Sequence, residues 1–244
     1  MINQLAEIMA GRGGVIAPKH RPAICTGIGG AEIDYPDVSW HMALTAIDTQ
    51  LTPSCVGQGM TSSIEIMSAA HDGPILRLDG EALWEYERML NYGDLDGGLQ
   101  VEEGIDAVCR FGLVPNDVEI YRVPLDQKSI NDALQEGPLP IATCVHQGWD
   151  RDQMSDNGRI NEWVRFIPGV GGHMTCMMAN ADLGGVNLIG SVNSWGPDYG
   201  KGGVFFMSAV HFISCAIDEP VLFRVDHAWW SSAEFAAAAE KVRL

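Results

Sequence analysis

The sequence predicts an α+β fold of two lobes, and three observations carry that prediction. Apolar residues recur at helical spacing through the first half of the chain. Beyond residue 138 the pattern changes to short runs of Val, Ile and Met bounded by Gly, Asn and Asp. Helices followed by strands, rather than alternating with them, fit a segregated architecture and not a βαβ winding.

Residues 1–34 read as an extension. A short amphipathic helix (2–10) runs into Gly11-Arg12-Gly13-Gly14, and Gly27-Ile28-Gly29-Gly30 follows. A helix from Cys55 to about His71 is predicted by Val56, Met60, Ile64 and Met67, which fall on one face. Gly57 and Gly59 are poor helix formers, each costing up to roughly 1 kcal/mol against Ala, so packing has to hold that first turn. The next helix spans 79–91 with Leu83, Tyr86 and Leu90 inward. A third covers about 100–110 and stops at Gly112, with Pro115 beyond. A fourth covers Asp126–Glu136, ended by Gly137-Pro138. Strands are predicted at Leu139–Val145, Val164–Ile167, Met174–Ala179, Val186–Val192 and Val204–Met207. Residues 228–243, with Trp229, Trp230 and Phe235 followed by a run of four alanines, read as one terminal helix.

The chain has 244 residues, 46% of them hydrophobic, which suits one domain or one domain built as two lobes around a cleft. It carries 15 Lys and Arg against 32 Asp and Glu, a net charge of −17, which repels phosphate backbones and excludes nucleic acid as a partner. No run approaches the ~18 apolar residues of a membrane span, so no membrane partner is expected. The Met1–Ala10 segment lacks the pattern of a signal peptide. The six cysteines form no CxxC pair, so neither a metal nor a cofactor is indicated and free thiols in a reducing compartment are expected.

Three separated residues form a kit for acyl transfer. Cys55 follows Pro53-Ser54 at the start of a predicted helix, where backbone N–H groups and the helix dipole favour a thiolate nucleophile. His173, 118 residues later, follows Gly171-Gly172, whose small size admits another chain, and serves as general base and acid. Asn193, in Val192-Asn193-Ser194-Trp195-Gly196, would fix the imidazole tautomer, with Trp195 excluding water from that bond. Gln50 would complete the oxyanion site with the Cys55 backbone N–H, Gln58 being the alternative. Gly97-Gly98 offer either a turn or bare backbone against which an extended peptide could pair. His20, His41, His71, His146, His211 and His227 lack such context and read as structural.

These residues resemble papain-like cysteine peptidases over about Tyr35–Val225. Tyr35-Pro36-Asp37-Val38-Ser39-Trp40 is similar to that family's opening P-x-x-V-D-W, and Thr52-Pro53-Ser54-Cys55 stands where C-G-S-C-W stands. Asp96-Gly97-Gly98 with Gly112-Leu113-Val114-Pro115 resembles its G-G…G-(I/L)-x-x-E segment. Gly137-Pro138-Leu139-Pro140-Ile141-Ala142 is similar to G-P-V-x-V-A. Gly172-His173-Met174 and the run Asn193–Gly203 resemble G-H-A and N-S-W-G-x-x-W-G-x-x-G-Y, the last being highly specific. The resemblance implies a helical lobe (about 50–125) and a β-barrel-like lobe (about 126–226), an extension at 1–34 and a terminal helix at 227–244. It implies Cys55 on one wall of the cleft, His173 and Asn193 on the other, and peptide hydrolysis through a thioester without metal. Leu99, Ile141, Ala142 and Gly172 fall at the main side-chain pocket, for which an apolar or small substrate residue is expected. Gly97, Gly98 and Trp195 complete the substrate-binding set.

The chain departs from the family at Val56, where an aromatic is usual, and at Gln50, one residue nearer the nucleophile. Thr52 and Leu95 stand where the family has a disulfide. These traits suit the divergent bacterial or bacteriophage branch, with cytoplasmic or virion-associated location and residues 1–34 free to dock an assembly partner. The leading expectation is a cysteine endopeptidase with a polypeptide substrate. The alternatives are a cell-wall amide hydrolase and a structural or assembly protein on a peptidase scaffold.

Overall fold

The computed structural model describes residues 34–40, 43–44, 47–155, 157–162, 171–183 and 186–244. The predicted extension before residue 34 and the predicted strand Val164–Ile167 lie outside the described residues.

The helical lobe is built on α1 (Cys55–Ala70), α2 (Gly80–Asn91) and α3 (Val101–Arg110). The glycines of α1 mark its contacts. A Cβ on Gly57 would lie 2.0 Å from the Gly80 carbonyl oxygen, and one on Gly59 2.6 Å from Met174 Cγ. Bare backbone on one turn therefore lets α1 meet α2 on one side and the sheet on the other. Asp79 caps α2 by accepting from the Glu81 and Ala82 N–H groups. The inward face of α2 is Leu83, Trp84, Glu87 and Arg88, not the predicted Leu83, Tyr86 and Leu90; Tyr86 and Leu90 are exposed. Arg88 goes inward because its guanidinium holds the Asp94 carboxylate and the Asp96 and Gly98 carbonyls of the following loop. Helix α3 ends before Gly112, whose φ of 72° is the left-handed conformation glycine favours.

The second lobe is a sheet with β1 (Asp34–Ser39), β3 (Leu139–Cys144), β4 (Gly172–Leu183), β5 (Val186–Val192) and β6 (Val204–Ser208). All pairs are antiparallel. Strand β4 is twice the predicted length: its first half pairs with β3 and its second with β1. A register shift between Met177 and Ala179 marks the change. Helix α4 (Gln127–Glu136), capped by Asp126, covers the sheet. A two-stranded ribbon of β2 (Glu119–Arg122) and β7 (Val221–Arg224) and a short helix α5 (Ala209–Cys215) complete the lobe.

The tail is not one helix. A 3₁₀ turn (His227–Ser231), α6 (Ala233–Ala239) and a second 3₁₀ turn (Glu240–Val242) follow one another. Ser232 breaks the run, because its hydroxyl accepts from the Phe235 N–H and starts α6 afresh. The tail nonetheless belongs to the helical core: Trp230, Phe235 and Val242 cluster with Met60, Leu78 and Leu83. Among the described residues, Cys55, Cys109, Cys144, Cys176 and Cys215 carry free thiols, and no helix is long and apolar enough to cross a membrane.

Candidate active site

Cys55 is the first residue of α1, where helix N–H groups point toward its side chain. His173 is the second residue of β4, opposite Thr143 of β3. Asn193 directly follows β5, held by its N–H bond to the Gly203 carbonyl. Because β5 pairs with β4, with Val192 opposite Cys176, Asn193 comes back beside His173. The His173 Nε2–H donates to Asn193 Oδ1 at 2.7 Å. The neutral ring therefore keeps its lone pair on Nδ1, which is buried and makes no hydrogen bond.

The thiol reaches this strand through backbone: the Met174 N–H, one residue beyond His173, hydrogen-bonds the Cys55 sulfur. Close packing of Gly59 on the Met174 side chain brings the two elements together. Aromatic rings enclose the imidazole. Trp195 lies over it, with centroids 4.6 Å apart and planes 33° apart, and Trp149 meets it edge-on at 6.4 Å.

Enclosure sets protonation. Cys55 is 6% exposed and His173 1%. Burial pushes the Cys55 thiol up, against smaller lowering by the Met174 and Val56 N–H groups. Burial also pulls His173 down to about 4, with the bond to Asn193 opposing. Both shifts favour a neutral thiol and a neutral imidazole, and not the thiolate expected from the helix terminus alone.

Gln50 is fully buried. Its Oε1 accepts from the Ser194 hydroxyl, its N–H donates to the Ser194 carbonyl at 2.8 Å, and its Nε2 donates to the Thr52 carbonyl at 3.2 Å. One Nε2 hydrogen remains uncommitted. Gln58, the alternative, instead packs beside Gly80 at the α1–α2 contact.

The expected substrate-binding residues divide. Gly98 lies beside the Pro53 carbonyl, and the Gly97 and Gly98 carbonyls accept from Trp84 Nε1 and Arg88. Leu99 and Ala142 are partly buried against the helical core, and Gly172 is exposed beside Ile217. Ile141 is fully buried and clusters with Leu139, Val145 and Trp149, so it packs the β lobe. Neighbouring side chains alternate across a strand, and Ala142, not Ile141, faces the helical lobe. Thr52 and Leu95 line a cavity of about 450 Å³ together with Leu51, Pro53, Glu81, Trp84, Glu85 and Asp96. The sequence reading missed Trp149 and the Met174 N–H; neither carries a local signal, since each acts only through long-range packing.

No protein-family model matches the chain, and no curated protein sequence does either. Solved structures do match. The proform of the ragweed pollen cysteine protease Amb a 11 aligns with a TM-score of 0.59 at 17% identity, over 92% of this chain and 74% of that one. Xylellain, a cysteine protease from Xylella fastidiosa, gives 0.56 at 16% identity, over 90% and 89%. Bromelain from Ananas comosus, solved with the inhibitor E64, gives 0.58 at 15% identity, over 78% and 98%. The chain has the papain-like fold.

Proposed function

We propose that this protein is a cysteine endopeptidase in which Cys55, His173 and Asn193 form the catalytic triad. The observation that carries the reading is a buried imidazole whose Nε2–H is committed to Asn193 Oδ1, leaving a lone pair on Nδ1 in the strand that contacts the thiol. His173 Nδ1 takes the thiol proton as the sulfur attacks the peptide carbonyl carbon. The oxyanion is met by the Cys55 N–H and the remaining Gln50 amide hydrogen. The imidazolium returns its proton to the leaving amine, giving a thioester. Water, deprotonated by the same nitrogen, then releases the acid and restores the thiol. Asn193 holds the ring through both proton transfers. Because thiol and imidazole start neutral, the proton moves with substrate in place, when catalytic hydrogen bonds tighten.

The test is hydrolysis of casein by wild type and Cys55→Ser, with labelling by an epoxide inhibitor. Cys55→Ser is expected to lose turnover while keeping its melting temperature within a few degrees. Labelling is expected at Cys55 alone and only when His173 is present. Undiminished hydrolysis by Cys55→Ser refutes the assignment. Release of muropeptides without casein cleavage moves it to a cell-wall amide hydrolase, and equal slow labelling of all thiols moves it to an assembly protein on this scaffold.

A further inference from the structure

On the far side of Trp149, whose ring meets His173 on one side and His146 on the other, His146, His211 and Cys215 bring their ligand atoms within 4.8 Å of one another. His146 lies just past β3, and His211 and Cys215 are one turn apart on α5. His146 and Cys215 are buried and His211 is half-buried. The two Nε2 atoms are 2.7 Å apart, and Cys215 Sγ is 3.5 Å from His211 Nε2. The geometry points to a binding site for a borderline-soft divalent cation of the Zn²⁺ class, with His146 Nε2, His211 Nε2 and Cys215 Sγ as ligands.

The distances suit such an ion. Tetrahedral zinc with ordinary bond lengths separates two nitrogens by about 3.3 Å and a nitrogen from a sulfur by about 3.6 Å. The nitrogen–sulfur separation already matches, and the two rings need to part by about 0.6 Å. A carboxylate supports the site without ligating it. Glu162 accepts from the Ser208 N–H at 2.6 Å and the Ser208 hydroxyl at 2.8 Å, and its charge acts on His146, His211 and Cys215 alike. Cys144, two residues before His146, also acts on Cys215.

The protons balance as follows. The Gly148 N–H donates to His146 Nδ1 at 3.0 Å, so the ring proton sits on Nε2 and bridges to His211 Nε2. When the cation binds, the proton on His146 moves to Nδ1 and the Gly148 bond opens. The Cys215 thiol loses its proton to solvent as the S–metal bond forms, so one proton is released per ion. The His146–His211 and Gly148–His146 hydrogen bonds and the Cys215–His211 contact are exchanged for three metal–ligand bonds that tie the end of β3 to α5.

The test uses the Cys55→Ser protein, so that neither the proposed nucleophile nor its reactivity contributes and the outcome is independent of the peptidase reading. Co²⁺ titration is expected to give a sulfur-to-cobalt charge-transfer band that saturates at one equivalent, with Zn²⁺ bleaching it. Cys215→Ser is expected to abolish the band, and His211→Gln to weaken uptake at least tenfold, in protein whose circular dichroism is unchanged. Should either variant not fold, the decisive measurement is on the unmutated site: Zn²⁺ should protect Cys215 from iodoacetamide at least tenfold, read by peptide mass. Absence of the band, its survival in Cys215→Ser, or an unprotected Cys215 would overturn the site.

Discussion

At Cys55 two opposing effects meet, and burial decides between them. A helix N-terminus favours an anion by typically 0.3–1 kcal/mol when exposed and up to ~2 kcal/mol when partly buried. Removing nearly all solvent from a lone thiolate costs more, so the sulfur stays protonated in the free protein. The ultraviolet absorbance of thiolate is therefore expected to stay absent from Cys55 up to its ordinary thiol value of 9.0, in a difference spectrum against Cys55→Ser. A thiolate signal at pH 6 would show an ion pair already formed and sink this account. Gln50 provides a second check at the same scale. Its backbone and Oε1 are fixed by Ser194, which aims the remaining amide hydrogen. Gln50→Ala should lower kcat by about 10²–10³ with little change in KM, the usual loss for one oxyanion donor. A change confined to KM would move Gln50 out of that role.

At the scale of elements, α1 shows why glycine occurs in the helix that carries the proposed nucleophile. Helix propensity alone says that Gly57→Ala should stabilise by up to about 1 kcal/mol. The structure reverses that sign. The new methyl would sit 2.0 Å from the Gly80 carbonyl oxygen, and backbone cannot yield as a side-chain tip can. Gly57→Ala is expected to destabilise by about 1–3 kcal/mol in urea unfolding, the range for overpacking; a gain in stability would mean that α1 and α2 are farther apart. The same helix was legible in sequence to within a residue at each end, because Val56, Met60, Ile64 and Met67 give a clear period. The ribbon of β2 and β7 was not: Glu119–Arg122 is four residues long, half of them exposed, and shows no alternation to read. Tyr86 and Leu90 misled because apolar side chains at helical spacing are inward only if something covers them. Cys55, His173 and Asn193, the residues of the proposed triad, stand out in the sequence by their local settings, Pro-Ser before the first, Gly-Gly before the second and Ser-Trp-Gly after the third. Trp149 and the His146–His211–Cys215 group do not, since only the folded chain brings their distant segments together.

For the molecule as a whole, the buried imidazoles link the enclosed site to acid stability. His173 has its pKa lowered from 6.5 to about 4, so the unfolded chain binds the proton more tightly than the folded one. The stability tied to keeping it neutral is therefore complete above pH 6.5 and lost as pH falls toward 4. That loss amounts to about 3 kcal/mol by linkage, and the full figure applies because the ring is almost completely enclosed. His146 and His211 are lowered by burial too and add in the same direction. Buried Glu87 opposes them: burial raises its pKa, so protonation in acid favours the fold. His71 is lowered by burial as well, and four imidazoles against one carboxyl leave a net loss. The Cys55→Ser protein, which cannot digest itself under the proposed mechanism, should show its melting midpoint falling steadily between pH 6.5 and 4.5, and His173→Gln should have a shallower slope. A midpoint that stays flat across that window, or an unchanged slope in His173→Gln, would mean that solvent reaches the ring in the folded protein and that the neutral-pair chemistry argued from its burial does not hold.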